Sequence, residues 1–433
     1  GNHKGYFVQA GGDFTYAGAM YLGDQVLGYV NATNPGTPSE GFYTMSGGTL
    51  TGGGLTLGEW GGVGRFTQSG GVVRVTDFDL GRQNDSSNGG PGQGYYYMYP
   101  AADPAYPHPE LYVDNSNIGT RGIGVFEQNA GWHEVEGNMV LGVEAGSEGT
   151  YNLNGGSLTV GGTLTVKQTL SQPGAGTFNM AGGALTAGTI VNNDLFNVHD
   201  AGNLMSPLLI RGDIENNGEF RVTNAVVNFE GEFINNANFI SNPSVMAFDN
   251  LEITSDGFIH AGLDEYHING SFQNKSTKNM DGTEWFTRNA QLIFSPGSHE
   301  AMFNSQDLGA LESAYNNNFA WGNVDFGGAD FTLLAQGGDS WGALYTGTVG
   351  GLNIENGIIQ NEFIGNSNIY YLAQYNPLLG GKSYDFVSGS GKFIPVNVVP
   401  EPISSALFLL GAGALAGVRR LRSRDAKFYV STK

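Results

Sequence analysis

Six times in the first 183 residues an aromatic side chain is followed four positions later by a small-residue corner. Gly5-Tyr6-Phe7-Val8-Gln9-Ala10-Gly11-Gly12 sets the pattern, which recurs at Tyr43 with Gly47-Gly48 and at Phe66 with Gly70-Gly71. It returns at Phe126 with Ala130-Gly131, at Tyr151 with Gly155-Gly156 and at Phe178 with Gly182-Gly183. The corners are 36, 23, 60, 25 and 27 residues apart. Short strands cut by glycine at a period in the twenties fit stacked coils; a propeller blade needs about 40 residues and a leucine-rich repeat needs its Leu/Asn ladder. A second corner, Leu-Gly, recurs at Leu22-Gly23, Leu57-Gly58, Leu80-Gly81 and Leu141-Gly142.

Alternation inside the units gives the faces. In Ser157-Leu158-Thr159-Val160-Gly161-Gly162-Thr163-Leu164-Thr165-Val166, the aliphatic residues fall on one side and Ser157, Thr159, Thr163 and Thr165 on the other. From about 190 to 290 the corner residue becomes asparagine: Asn192-Asn193, Asn216-Asn217 and Asn235-Asn236 recur at 24 and 19 residues. Asparagine tolerates left-handed backbone and can bond to its equivalent one coil away, so the same architecture is expected to continue as corner ladders. The expected fold is all-β, a right-handed parallel β-helix over residues 1–290 with an insertion at 82–118. Residues 291–396 are expected to close it as a C-terminal β cap, with a helical turn from Ser305 to Tyr315 and strands at Phe331–Leu334, Leu352–Ile354 and Ile369–Leu372.

Composition narrows the function. Seventy glycines and no cysteine leave stability to repeated hydrogen-bonded layers rather than to disulfides. The formal charge of −21 disfavours nucleic acid as a partner. No phosphate loop, nucleophile elbow or dinucleotide fingerprint occurs in a credible context, and His108 has no companion at zinc-ligand spacing. No catalytic set and no metal site are therefore assigned. Two weaker candidates remain. Asp77 and Asp79 share one face of a strand, outward by alternation, where a carboxylate pair could hold Ca²⁺ or act on a sugar hydroxyl, or simply be solvated. Tyr95, Tyr96, Tyr97 and Tyr99 lie in the insertion, where tyrosines on a projecting loop could stack on sugar rings or tie the loop down.

The end of the chain carries a different message. Pro400-Glu401-Pro402 precedes an apolar run from Ile403 to Val418 and then Arg419, Arg420, Arg422 and Arg424. A greasy segment stopped by arginines reads as a membrane segment with its basic side in the cytoplasm. This arrangement resembles the PEP-CTERM sorting signal of exported bacterial proteins, and the repeats resemble autotransporter-like β-helix repeats. The resemblance implies export, transient anchoring of a hydrophobic helix in the inner membrane, and processing by an exosortase-type membrane protease within residues 397–433. Pro400, Glu401 and Pro402 would be its substrate. The fifteen residues from Arg419 to Lys433 make a longer tail than that pattern usually carries. Residues 403–433 hold six basic and one acidic side chain, so their removal leaves a charge of −26. The start, Gly1-Asn2-His3-Lys4-Gly5, lacks Met and any apolar signal and lies inside a repeat, so the sequence is expected to be a fragment without its beginning. Two functions follow as expectations. One is a non-catalytic cell-surface or matrix protein, structural or adhesive in exopolysaccharide or biofilm. The other is a carbohydrate-active β-helix lyase or hydrolase.

Overall fold

The computed structural model describes residues 4–24, 39–82, 84–85, 90–101, 108–170, 174–199, 207–278, 284–334 and 341–397. It is all-β, with long, mostly parallel sheets whose strands stack coil upon coil in the manner of a parallel β-helix. One sheet of eleven strands gathers the aromatic segments, beginning with Lys4–Gln9, Glu40–Met45, Val63–Gln68, Gln93–Met98 and Ile123–Gln128. After several corners a longer strand follows, such as Thr49–Glu59, Val72–Leu80 or Ser157–Val166, while after Gly131 that stretch is split into Trp132–Val135 and Met139–Leu141. Thr49–Glu59 pairs with two separate strands of the preceding coil, Asp13–Thr15 and Ala19–Asp24, so it serves two walls of the coil. Leu158, Val160, Leu164 and Val166 are all buried, as the alternation requires.

Register is set by glycine and by the aromatic rung. Gly64, Gly94 and Gly124 align across adjacent strands. A Cβ at Gly94 would stand 2.2 Å from the Leu57 carbonyl oxygen, so a side chain is excluded where the coil turns into the aromatic strand. Two residues further on, the rings stack. Centroids lie 4.5 Å apart for Tyr43–Phe66, 4.8 Å for Phe66–Tyr96, 4.9 Å for Tyr96–Phe126 and 4.7 Å for Phe126–Tyr151. The column continues through Phe178, Phe196 and Phe220 to Phe239. These separations match the ~4.8 Å between hydrogen-bonded strands, and each such pair adds about 1 kcal/mol to the burial of its surface.

The hydroxyls of the buried tyrosines are not accidents of composition. Tyr43 donates to Gln9 Oε1 at 2.6 Å, Tyr96 to Gln68 at 2.7 Å and Tyr151 to Gln128 at 2.5 Å, each glutamine belonging to the preceding coil. Each glutamine amide in turn donates to its own corner, as Gln68 does to Gly71 O at 2.9 Å, and to the next coil, as it does to Glu110 O at 3.0 Å. Where the column carries phenylalanine, at Phe66, Phe126 and Phe178, the residue at that place in the preceding coil is Met45, Met98 or Leu153. Within this column a tyrosine therefore appears only where a glutamine oxygen waits for its proton, because a buried hydroxyl without a partner costs about 1–3 kcal/mol.

Asparagine takes over as expected. Asn192 Nδ2 donates to Asn216 Oδ1 and Asn216 Nδ2 to Asn235 Oδ1, both at 2.7 Å and both buried. A parallel outer ladder joins Asn193, Asn217 and Asn236 at 3.1 and 2.8 Å.

Three expectations need correction. The stretch 82–118, read as an insertion, contains a further coil: Gln93–Met98 pairs in register with Val63–Gln68 and Ile123–Gln128, and Glu110–Ile118 pairs with Val72–Leu80. Its corner carries Pro100-Ala101 instead of the glycine pair, which hid the repeat within the 60-residue interval. The helical turn is confined to Glu312–Asn316, and Ser305–Gln306 is a short strand. Ser305 caps nothing, since its hydroxyl bonds to the Asn318 carbonyl and the position before the helix is Leu311. Of the run at 352–354 only Ile354 is in a strand, Ile354–Glu355. Parallel stacking itself continues beyond 290 through Thr287–Phe294, Trp321–Asp325, Trp341–Gly350, Ile369–Leu372 and Lys392–Val396. Antiparallel pairs close the end, as between Tyr384–Phe386 and Lys392–Val396. The hydrophobic helix expected after Pro402 lies outside the described residues. Among the described residues no helix is long and apolar enough to cross a membrane.

Two stability outcomes follow. Gln68→Met and Tyr96→Phe should each destabilise the protein to urea by about 1–3 kcal/mol, and the double variant should recover most of that loss. Lys167, one coil beyond Gly142, holds a left-handed φ of 65° that glycine adopts at 67°. Lys167→Gly should therefore raise stability by about 1 kcal/mol in the same measurement.

Candidate functional site

The outer faces of the first coils carry both sequence candidates. On the strand Val72–Leu80, Phe78 turns inward, which leaves Asp77 exposed and Asp79 half-buried on the outside. Asp77 stands level with Gly54 and Asn115, and Asp79 with Thr56 and Asn117 of the neighbouring coils. Because Gly53 and Gly54 contribute no side chains, a groove of about 600 Å³ opens beside Thr56, Asp77, Asp79 and Arg82. Burial pushes the Asp79 carboxyl above its ordinary value, opposed by donation from Asn117 Nδ2 at 3.1 Å, by the nearby Arg82 and by Thr120 Oγ1 at 3.3 Å. The groove thus presents one free and one engaged carboxylate. Among the described residues there is no group of three or more His, Asp or Glu side chains placed to hold a metal ion. The Asp77–Asp79 pair alone could offer Ca²⁺ only a partial shell.

The tyrosines divide by the alternation of their strand. Tyr96 points into the core and belongs to the aromatic column, so it is withdrawn as a ligand candidate. Tyr95, Tyr97 and Tyr99 face outward in a row, with centroids 6.4 and 6.1 Å apart and planes parallel within 6°. They ride on a rigid wall rather than a projecting loop. Arg65, which the sequence reading did not single out, lies over Tyr95 at 5.0 Å and over Phe42 at 5.6 Å, and Phe42 stacks on Tyr6 at 4.9 Å. The signal was available: Phe42, Arg65 and Tyr95 hold the same place in successive repeats. The result is an aromatic and guanidinium surface suited to stacking on the apolar face of a sugar or on another ring.

Arg74 and Tyr112 make a similar contact on the next wall, at 4.0 Å, with the Tyr112 hydroxyl donating to Glu110 Oε2 at 2.9 Å. His108 is exposed and in irregular structure. The sorting residues Pro400, Glu401, Pro402, Arg419 and Arg420 lie outside the described residues, as does Tyr106 of the former insertion. Asp77 and Asp79 are not brought together with the tyrosine row in one cavity; they occupy different walls of the coil.

His133 is chemically distinctive but belongs to the core. It stacks on Phe126 at 4.7 Å, and its Nδ1 lies 3.0 Å from the Tyr151 hydroxyl. Since that hydroxyl gives its proton to Gln128, Nδ1 carries the hydrogen and donates, leaving Nε2 buried without a partner. Burial pushes the imidazole down from 6.5 to about 3. No family model matches this chain, and no curated protein or solved structure shows significant similarity to it.

Between pH 6.5 and about 3 the unfolded chain takes up a proton at His133 that the folded chain refuses. Stability held above that window is therefore lost as the pH falls through it. Urea titrations across this range should show a shallower acid loss for His133→Phe than for the parent chain, and equal slopes would contradict the neutral, buried assignment.

Proposed function

We propose that this chain is a non-catalytic β-solenoid of the cell surface or extracellular matrix, right-handed in its coiling, exported and released through its C-terminal signal. The observation that carries the reading is the uninterrupted inner column, which makes consecutive coils one stiff body. Each coil adds about 4.8 Å of length, and a folded rod keeps its reach where a flexible linker collapses. Acidic charge and an outer surface of threonine, asparagine and tyrosine suit a protein embedded in hydrated polysaccharide, as a structural or adhesive component. In this reading an exosortase-type protease recognises Pro400, Glu401 and Pro402, the apolar run holds the chain in the inner membrane, and Arg419 and Arg420 fix its orientation.

A second reading is favoured by the groove at Asp77 and Asp79, where the Asp79 carboxyl, pushed up by burial, shares a strand face with Asp77. That pairing is the minimum for acid–base work on a glycosidic linkage.

Mass spectrometry of the secreted protein should find a C-terminus near Val399 to Pro402, and Glu401→Ala should keep the chain, with its basic tail, in the membrane fraction. An intact chain in the cytosol would overturn the export reading. Turnover of a polysaccharide that Asp77→Asn or Asp79→Asn abolishes would replace the non-catalytic reading with the enzymatic one.

A further inference from the structure

Near the C-terminal end, far in sequence from the candidates above, a cleft of about 410 Å³ opens where the outward side chains of the sheet give out. Gly322 lies in the strand Trp321–Asp325 and Gly347 in Trp341–Gly350. A Cβ at Gly347 would stand 2.5 Å from the Gly322 carbonyl oxygen, so close strand approach excludes side chains and leaves a bare backbone floor. The short helix Glu312–Asn316 forms one wall and presents Tyr315, Asn316 and Glu312. The turn Ala373–Tyr375 forms the other and presents Gln374 and Tyr375. Arg288, Thr348 and Leu372 complete the lining.

The walls are held in place by contacts behind and across the cleft. Ala314, on the inner side of the helix, is buried in a small core with Tyr345, Tyr370 and Leu372. Asn376 is buried, donates to Gly347 O and to Leu372 O at 2.8 Å, and accepts from the Val349 amide at 3.0 Å, which pins the turn carrying Tyr375. Arg288 lies against the Phe286 ring at 5.4 Å and donates to Asn316 Oδ1 at 3.1 Å. Tyr315 is largely covered and its phenol is pushed up to about 12 by burial, with Tyr375 near enough to add to the shift. Tyr375 itself is 58% exposed, a large ring held in solvent by a fixed turn.

We propose that this cleft binds one uncharged hexose residue of a polysaccharide, stacked on Tyr375 and hydrogen-bonded by Arg288, Glu312 and Gln374. The volume lies in the range of small-ligand sites, and an exposed ring beside a side-chain-free floor accommodates the flat apolar face of a pyranose. The lining contains one cation and one carboxylate, Arg288 and Glu312, so it carries no net charge to attract a uronate or a basic ligand. A sugar hydroxyl both donates and accepts, and it can use both charged groups at once. This site is distinct from the tyrosine row, and it extends the matrix reading by naming a solute class and a place for it.

The test is calorimetric titration of the whole chain with soluble neutral oligosaccharides of glucose, mannose and galactose, and with uronate oligosaccharides of matched length. At least one neutral series should bind, Tyr375→Ala should weaken it about tenfold with unchanged thermal stability, and Gln374→Ala should weaken it less. Leu170→Ala, at an exposed side chain outside both the cleft and the tyrosine row, should leave it unchanged. The proposal is overturned by silence from every neutral series, by binding of uronates alone, or by binding that Tyr97→Ala removes and Tyr375→Ala does not. Failure here leaves the export reading standing, since that reading is decided by the mass of the secreted chain.

Discussion

The parallel ladder repeats its strands at a spacing that aromatic rings also prefer, and the architecture depends on that coincidence. Every backbone bond between coils places like residue over like residue, so an inward ring at one rung dictates a ring at the next. Tyr43, Phe66, Tyr96, Phe126, Tyr151 and Phe178 are six answers to one constraint, all buried. Because the column is continuous, loss of one ring is felt by two neighbours, while the corners beyond it need only preserve the turn. Coil length can therefore vary, from 18 residues between Phe178 and Phe196 to 30 between Phe66 and Tyr96, without breaking the stack.

A column this dry must still account for its polar atoms. Glutamine at the corner does so in the early coils, serving a tyrosine hydroxyl and two backbone carbonyls at once, and asparagine does so in the middle coils by bonding to itself. The two devices solve the same problem: the corner turns away from regular sheet bonding and leaves backbone groups for a side-chain amide to satisfy. His133 marks the limit of the scheme, a ring accepted for its shape and held neutral by its surroundings.

Outside the column, the constraint relaxes and chemistry becomes possible. Three walls offer three kinds of surface: a row of parallel tyrosines with Arg65 beside it, a groove with Asp77 and Asp79, and a glycine-floored cleft near the last coils. All three rest on backbone held by stacking, so whatever they bind meets a preorganised face.

Period, inward alternation and the asparagine ladders were determined by the sequence alone, because hydrophobic spacing and corner residues are local properties of the chain. The extra coil at Gln93–Ile118 was not legible, since its corner uses Pro100-Ala101 and its membership rests on hydrogen bonds to strands thirty residues away on either side. The fate of Tyr96 and its three neighbours was likewise tertiary: alternation could divide them only once their strand had a register. The pairing of each buried tyrosine with a glutamine one coil earlier, and the cleft beside Tyr375, also needed the fold. They join residues whose separation in sequence is set by loop lengths, while their separation in space is set by the fixed rise of a parallel sheet.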